Sequence, residues 1–207
     1  MDLRNCDAIQ GFKTIPRDSI DLILTDPPYL KDFLWTYSLL AFEGNRVLKP
    51  HKHLVAYSGN LHVPEALMRL KQVLTFRGII TLLHQEGHGS IWPTRMLAAA
   101  KPILVFTQGP IEKGSPFLVN VYHDKGASKG YHEWGQNIAF SLDIIKRLTK
   151  EGDTVLDPFL GGGTTAKACQ ILNRRCIGFE IDQKTFDIAN KRMEETTLER
   201  FASGNGT

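Results

Sequence analysis

Residues 154–165 read Thr154-Val155-Leu156-Asp157-Pro158-Phe159-Leu160-Gly161-Gly162-Gly163-Thr164-Thr165. A short apolar run ends on a carboxylate, three glycines follow, and a helix-forming stretch opens near Thr164. That order predicts a strand–loop–helix unit of an open α/β sheet, with a ligand at the carboxyl end of the strand. Glycines admit positive φ and close approach of the backbone to a ligand, and the helix N-terminus faces the same space. Glu180 closes the next apolar run, about 20 residues beyond Asp157, where an acid holds a nucleoside ribose in such units. No lysine follows Gly163, so the phosphate-binding Gly-Lys-Ser/Thr pattern is not met. Ala166 stands where the dinucleotide pattern has its third glycine. A nucleoside without a phosphate chain fits this loop better; a glycine-rich connector with a structural acid is the alternative.

Outward from the loop, short apolar runs alternate with amphipathic stretches. Strands are expected at Leu3–Cys6, Asp21–Thr25, Leu54–Tyr57, Gly78–Leu83, Ile103–Phe106, Val155–Asp157 and Cys176–Glu180. Helices are expected at Phe33–Leu48, Val63–Val73, Ile138–Leu148, Thr164–Leu172 and Gln183–Arg200. The alternation predicts a single doubly wound, mostly parallel, seven-stranded α/β sheet. Gln108–Gly135 and His84–Arg95 break the rhythm with Gly, Pro, Ser, Lys and His; Phe117-Leu118-Val119 is the one further short strand expected there. The length of 207 residues suits one domain. With 42% hydrophobic and 23% charged residues, the composition excludes long disorder and disulfide mini-scaffolds. Cys6, Cys169 and Cys176 form no disulfide framework and fall on apolar elements, so core positions are expected for them. No apolar run reaches the roughly 18 residues of a membrane span. The first residues lack an apolar signal core, and a soluble protein of a reducing compartment is expected.

A second motif, Asp26-Pro27-Pro28-Tyr29, ends the strand Ile20–Thr25. Each proline fixes its own φ and biases its predecessor to extended geometry, giving a stiff turn at a strand's carboxyl end. The turn offers a carboxylate, a carbonyl and an aromatic ring, a set that suits an exocyclic amine on a flat base. An Asx-type turn with a structural tyrosine is the alternative.

Together the two motifs resemble the catalytic and cofactor motifs of the S-adenosylmethionine-dependent amino methyltransferases of DNA. Arg46-Val47-Leu48-Lys49-Pro50 matches a further family element. The catalytic motif preceding the cofactor loop resembles the β group of that family. The resemblance implies a Rossmann-like methyltransferase fold with permuted motif order. Residues 1–200 would form the methyltransferase domain: 1–83 the catalytic half, 84–131 a short target-recognition segment, 132–200 the cofactor-binding half. Residues 201–207 would be a flexible tail. It further implies that Asp26, Pro27, Pro28 and Tyr29 are catalytic, Asp26 orienting the target amine and Tyr29 stacking on the flipped base. The cofactor, S-adenosyl-L-methionine, would meet Asp7, Ala8, Asp26, His132, Asp157, Phe159, Gly161, Gly163, Thr164 and Glu180. His132 enters through Tyr131–Gln136, which lacks the proline that the family more often carries there.

The activity implied is transfer of a methyl group to the N6 amine of adenine in DNA by direct displacement. Cytosine-N4 transfer and an inactive nucleic-acid-binding module are the alternatives. The partners implied are DNA and a cognate restriction endonuclease, in the cytoplasm of a bacterium or from a phage, with the chain a monomer or homodimer. The compact middle segment predicts a very short or relaxed recognition site, read from Gln85, His88, Trp92, Arg95, Asn120, Lys125 and Lys129. Arg46, Lys49, Lys52, Arg69, Lys71 and Arg77, with His51, His53 and His62, form a basic stretch that would serve phosphate contacts or make an ordinary solvated face. His84 and His88 lack the zinc-helix pattern, and no metal is expected. Trp35 is expected in the core.

Overall fold

The computed structural model describes residues 1–84, 89–91, 94–124 and 138–203. The elements, in chain order, are β1 (Asp2–Asn5), α1 (Ala8–Lys13), β2 (Ile20–Thr25), α2 (Trp35–Val47), β3 (Leu48–Tyr57), α3 (Val63–Leu70), β4 (Thr75–His84), β5 (Gly89–Ile91), β6 (Met96–Ala98), β7 (Ala100–Thr107), β8 (Val121–Asp124), α4 (Ile138–Leu148), β9 (Thr154–Asp157), α5 (Thr164–Ile171), β10 (Arg175–Glu180) and α6 (Gln183–Ser203). Eight strands form one sheet in the order β1-β10-β9-β2-β3-β7-β4-β8, and β5 with β6 makes a separate small hairpin. Every pairing in the large sheet is parallel except those of β7, which runs antiparallel to β3 and β4.

The sheet is wound on both faces. One core holds Phe12 of α1, Tyr37 and Leu40 of α2 and Ala66 and Leu70 of α3. The other holds Phe140 and Ile144 of α4, Ala166 and Cys169 of α5 and Ala189 of α6. Central strands alternate between them: Ile23 of β2 faces the first core, Leu22 and Leu24 the second. All six residues of β2 are buried, which explains the consecutive Leu22-Ile23-Leu24 at its centre. Cys169 and Cys176 are buried in the second core, where their mutual hydrogen bond and burial raise the Cys176 thiol well above its ordinary value. Cys6 is half-buried against the first.

The expected fold class holds, with eight strands where seven were expected. The added strand is not Phe117–Val119: Phe117 is 95% exposed. Pairing begins at Val121, opposite Thr81 of β4. Its anchor is aromatic: the Tyr122 ring meets Phe140 edge-on at 5.0 Å, and its hydroxyl bonds Asp143. β3 also starts earlier than expected, at Leu48. Its register jumps between the Ile20–Leu48 and Leu22–His53 pairs, and this irregularity absorbs Pro50 and the positive φ of His51, 64°. Trp35 is not core: α2 buries Thr36, Tyr37, Leu40, Ala41, Gly44 and Val47, leaving Trp35 44% exposed. The helix α1 was not expected at all. It is six residues long, and a Cβ at its Gly11 would lie 2.4 Å from the Phe179 ring, so the glycine lets α1 sit directly on β10.

Candidate active site

β9 and β2 are neighbours, paired through Leu22–Val155 and Ile23–Leu156. From β9 the chain continues through α5 on one face; from β2 it continues through α2 on the other. The two connections part at the carboxyl ends of these strands, which makes this the switch point where open α/β sheets bind ligands. The Thr25 hydroxyl donates to Asp157 Oδ1 at 2.7 Å across the divide, so the Asp26 turn and the glycine loop are fixed to one another.

Asp157 is 3% exposed, and Oδ1 also accepts from the Phe159 amide at 3.2 Å. Burial pushes its carboxyl up to about 6; the Thr25 and Thr165 hydroxyls and the Phe159 amide oppose the rise, and the charge of Asp26 adds to it. The sign of the consequence is definite. Between about pH 4 and pH 6 the folded chain holds a proton that the unfolded chain has released, so this group's contribution to stability declines as pH rises through that window and is flat above it. Asp157→Asn keeps an acceptor without the charge. Unfolding midpoints measured from pH 4 to 7 are expected to favour the variant increasingly, by no more than about 3 kcal/mol at the top. Parallel curves would contradict the burial argument.

The glycine loop is held on its protein side and open on the other. Leu160 N–H donates to Phe179 O at 2.8 Å, and Gly161 N–H to Glu180 Oε2 at 2.9 Å. Gly161 and Gly163 have φ of 52° and 78°. A Cβ on Gly161 or Gly162 would meet nothing within 4 Å, whereas one on Gly163 would press on Ala189 at 3.1 Å. Phe159 is partly buried against the first core, and Thr164 opens α5. Glu180 Oε1 accepts from the Asp182 amide at 2.9 Å. Asp7 sits at the neighbouring strand end, its Oδ1 capping α1 through the Gln10 amide at 2.9 Å, with Ala8 buried beside it. Open space before two glycines, an anchored carboxylate and a helix N-terminus fit a nucleoside-bearing cofactor.

Across the divide, Asp26 Oδ2 accepts from Lys101 Nζ at 3.0 Å. The same ammonium lies 4.8 Å from the ring centroids of both Tyr29 and Tyr57. Gly59 makes room for Tyr29, since a Cβ there would stand 2.9 Å from Tyr29 Cβ. Pro27 and Pro28 hold the turn between Asp26 and Tyr29 without helix or strand structure.

Three contributors were missed in the sequence. Lys101 reaches the site from the antiparallel strand. Asn5 Nδ2 donates to the Glu180 carbonyl at 2.9 Å. Arg192 of α6 clasps the loop from behind, Nη1 lying 3.1 Å from both Gly162 O and Thr164 Oγ1. None has a local sequence signal, since each acts across the fold.

Four bases of the basic stretch, Arg46, Lys49, Lys52 and Arg77, are engaged by groups on other elements. Lys49 and Lys52 bind Asp21 at the amino end of β2, the opposite edge of the sheet from Asp26. Arg46 is committed to Glu43 and to the carbonyls of Phe12 and Ile15. Arg77 bonds His53 and the Pro116 carbonyl. Burial, with the charges of Arg77 and Lys52, pulls His53 down to about 4, so it adds no charge at neutral pH. Of the expected readers, Arg95 is exposed beside β6 and Asn120 precedes β8. Gln85, His88, Trp92, Lys125 and Lys129 lie outside the described residues, as does His132.

Fold and site define an open α/β protein in which a glycine loop and an acidic Asp26-Pro27-Pro28-Tyr29 turn face one another at one switch point. Residues 30–191 match the DNA methylase family of N6 and N4 amino methyltransferases, and the chain belongs to that family. It is 30% identical to the type II methyltransferase M.HpaI of Haemophilus parainfluenzae, over 90% of this chain and 72% of that protein. The alignment runs to 229 positions, so M.HpaI carries residues that this chain lacks. Among solved structures, M1.HpyAVI in complex with SAM superposes with a TM-score of 0.71 at 22% identity, covering 92% of this chain and 98% of that one. The cytosine-N4-specific PvuII DNA methyltransferase superposes with a TM-score of 0.77 at 17% identity, covering 91% and 84%. Both share the fold.

Proposed function

We propose that this chain transfers a methyl group from S-adenosylmethionine to the N6 amine of a flipped adenine in DNA. The observation that supports the reading is the Thr25–Asp157 bond, which ties the Asp26 turn to the glycine loop at one crevice. The bound cofactor supplies a methyl group already activated on a sulfonium. The protein's part is then alignment. Glu180, anchored on the Gly161 and Asp182 amides, has lone pairs left to receive ribose hydroxyls. Gly161 and Gly162 let the cofactor lie against the backbone, and Phe159 and Thr164 bound the same space. Asp7 and Ala8 would meet the cofactor's adenine, and His132 would also contact the cofactor. Asp157 shapes the loop from within. Asp26 and the Pro27 carbonyl accept the amine hydrogens of the target, favouring a more tetrahedral and more nucleophilic nitrogen, while Tyr29 stacks on its ring. No covalent intermediate is required, in keeping with the buried Cys169 and Cys176.

A base inside a duplex cannot reach this crevice, so the target is flipped out. DNA is the partner, with a restriction endonuclease as a second and the cytoplasm as the setting. Among the described residues no helix is long and apolar enough to cross a membrane. The short segment between the halves supports a short or relaxed site, because each good bidentate contact supplies about 1–3 kcal/mol of discrimination. Incubating unmodified DNA with the protein and cofactor, then digesting it and identifying the methylated nucleoside, tests the reading. N6-methyladenine is expected. N4-methylcytosine as sole product would reassign the base, and no product would leave only a binding module.

A further inference from the structure

We propose that Lys101 reads the target base, its ammonium donating to the ring nitrogen beside the exocyclic amine while Asp26 Oδ2 accepts the amine itself. The inference rests on the methyl-transfer reading above. Lys101 is delivered by a fixed backbone. The Pro102 carbonyl accepts from the Ser58 amide at 2.9 Å, and the Ala100 carbonyl from Asn60 Nδ2 at 2.8 Å, so both flanking residues are tied to the turn after β3. The side chain between them reaches Asp26 Oδ2 at 3.0 Å, with both partners partly exposed. Oδ1 of Asp26 is buried. Oδ2 is therefore the oxygen an entering amine can meet, and it meets it beside a cation that has three donors and spends one on the carboxylate.

That pairing of acceptor and donor has a definite complement. Adenine presents an amine next to the N1 acceptor, and cytosine an amine next to the N3 acceptor. Guanine and thymine present a carbonyl oxygen next to a ring N–H, which would set oxygen against carboxylate and N–H against ammonium. A flipped base is read along this edge. Along this edge Lys101 and Asp26 together would admit adenine and cytosine and refuse guanine and thymine. Before a base enters, the Tyr29 and Tyr57 rings at 4.8 Å hold the ammonium in place. The lysine contributes to capture of the base, not to the nucleophilicity of its amine.

The test is a cycle between the side chain and one atom of the substrate. A duplex carrying the methylated site is compared with the same duplex in which the ring nitrogen is replaced by CH, as 1-deazaadenine or, for a cytosine target, 3-deazacytosine. With wild-type protein, kcat/KM is expected to fall about 10- to 100-fold on that replacement, the size of one charge-assisted hydrogen bond. K101M should lose a similar factor on the natural duplex and little more on the altered one, and K101R should recover most of the rate. Unchanged cofactor affinity of K101M, by calorimetry, shows that the fold is kept; if it drops, K101Q takes its place in the cycle. Losses that multiply in an active enzyme, or a K101M that outpaces the wild type, overturn the proposal alone. A wild-type protein that methylates no DNA overturns it together with the proposed function.

Discussion

Asp26→Ala is expected to reduce methyl transfer by about 10³-fold or more, the scale on which single positioned polar groups act in transfer reactions. Three losses coincide. The target amine loses its carboxylate acceptor, the base loses the group that fixes its edge, and the Lys101 ammonium, 3.0 Å away, loses its counter-charge. Cofactor affinity should fall much less, since Gly161, Glu180 and the start of α5 lie on the other side of the Thr25–Asp157 bond. Asp26→Asn keeps the shape and one acceptor, and should stand between the alanine variant and the wild type. Single-turnover methylation with saturating cofactor, beside calorimetric binding of the cofactor, separates the two effects. An alanine variant that retains a tenth of the wild-type rate would remove Asp26 from the reaction.

The second large effect is expected at the loop. Gly161→Val places a β-branched side chain at a φ of 52°, which such residues rarely adopt. The new methyl groups project into the open space before the loop, where no protein atom lies within 4 Å and where the cofactor would rest. About a 100-fold loss of cofactor affinity is expected from strain and obstruction together. Glu180→Ala should also weaken binding, because it removes the ribose acceptor and leaves the Gly161 and Asp182 amides without their partner. Calorimetry with S-adenosylmethionine measures both. Unchanged affinity in the two variants would dismiss the loop as the cofactor site.

Much of this was legible because it is local. Three glycines between an apolar strand and a helix can be read in place, and the loop, Glu180 and the Asp26 turn all arrive at one sheet edge. β2 was legible because both its faces are buried, which sets Leu22, Ile23 and Leu24 in succession. What escaped depends on distant partners. α1 is too short to show a period and owes its seat to a glycine against Phe179. β8 is anchored by one tyrosine ring instead of by apolar alternation. The basic stretch looked like a surface because its neutralising partners, Glu43, Asp21 and the carbonyls of Phe12 and Ile15, lie on other elements. Lys101 follows an alanine-rich stretch that gives no hint that its ammonium meets Asp26.

The reversed direction of β7 bears on how such a chain can be altered. β4 leaves the sheet and β7 re-enters it at the same edge, with Leu83 paired to Ala100, so the residues between them stand on two adjacent feet. An excursion rooted this way can be lengthened, shortened or exchanged without shifting the register of either strand, and the entropic cost of a longer span grows only slowly with its length. Because Lys101 stands at one of those feet, any segment grafted there begins beside Asp26. The architecture thus separates a sheet-borne floor from a replaceable canopy, and exchanging the canopy would leave the floor in register.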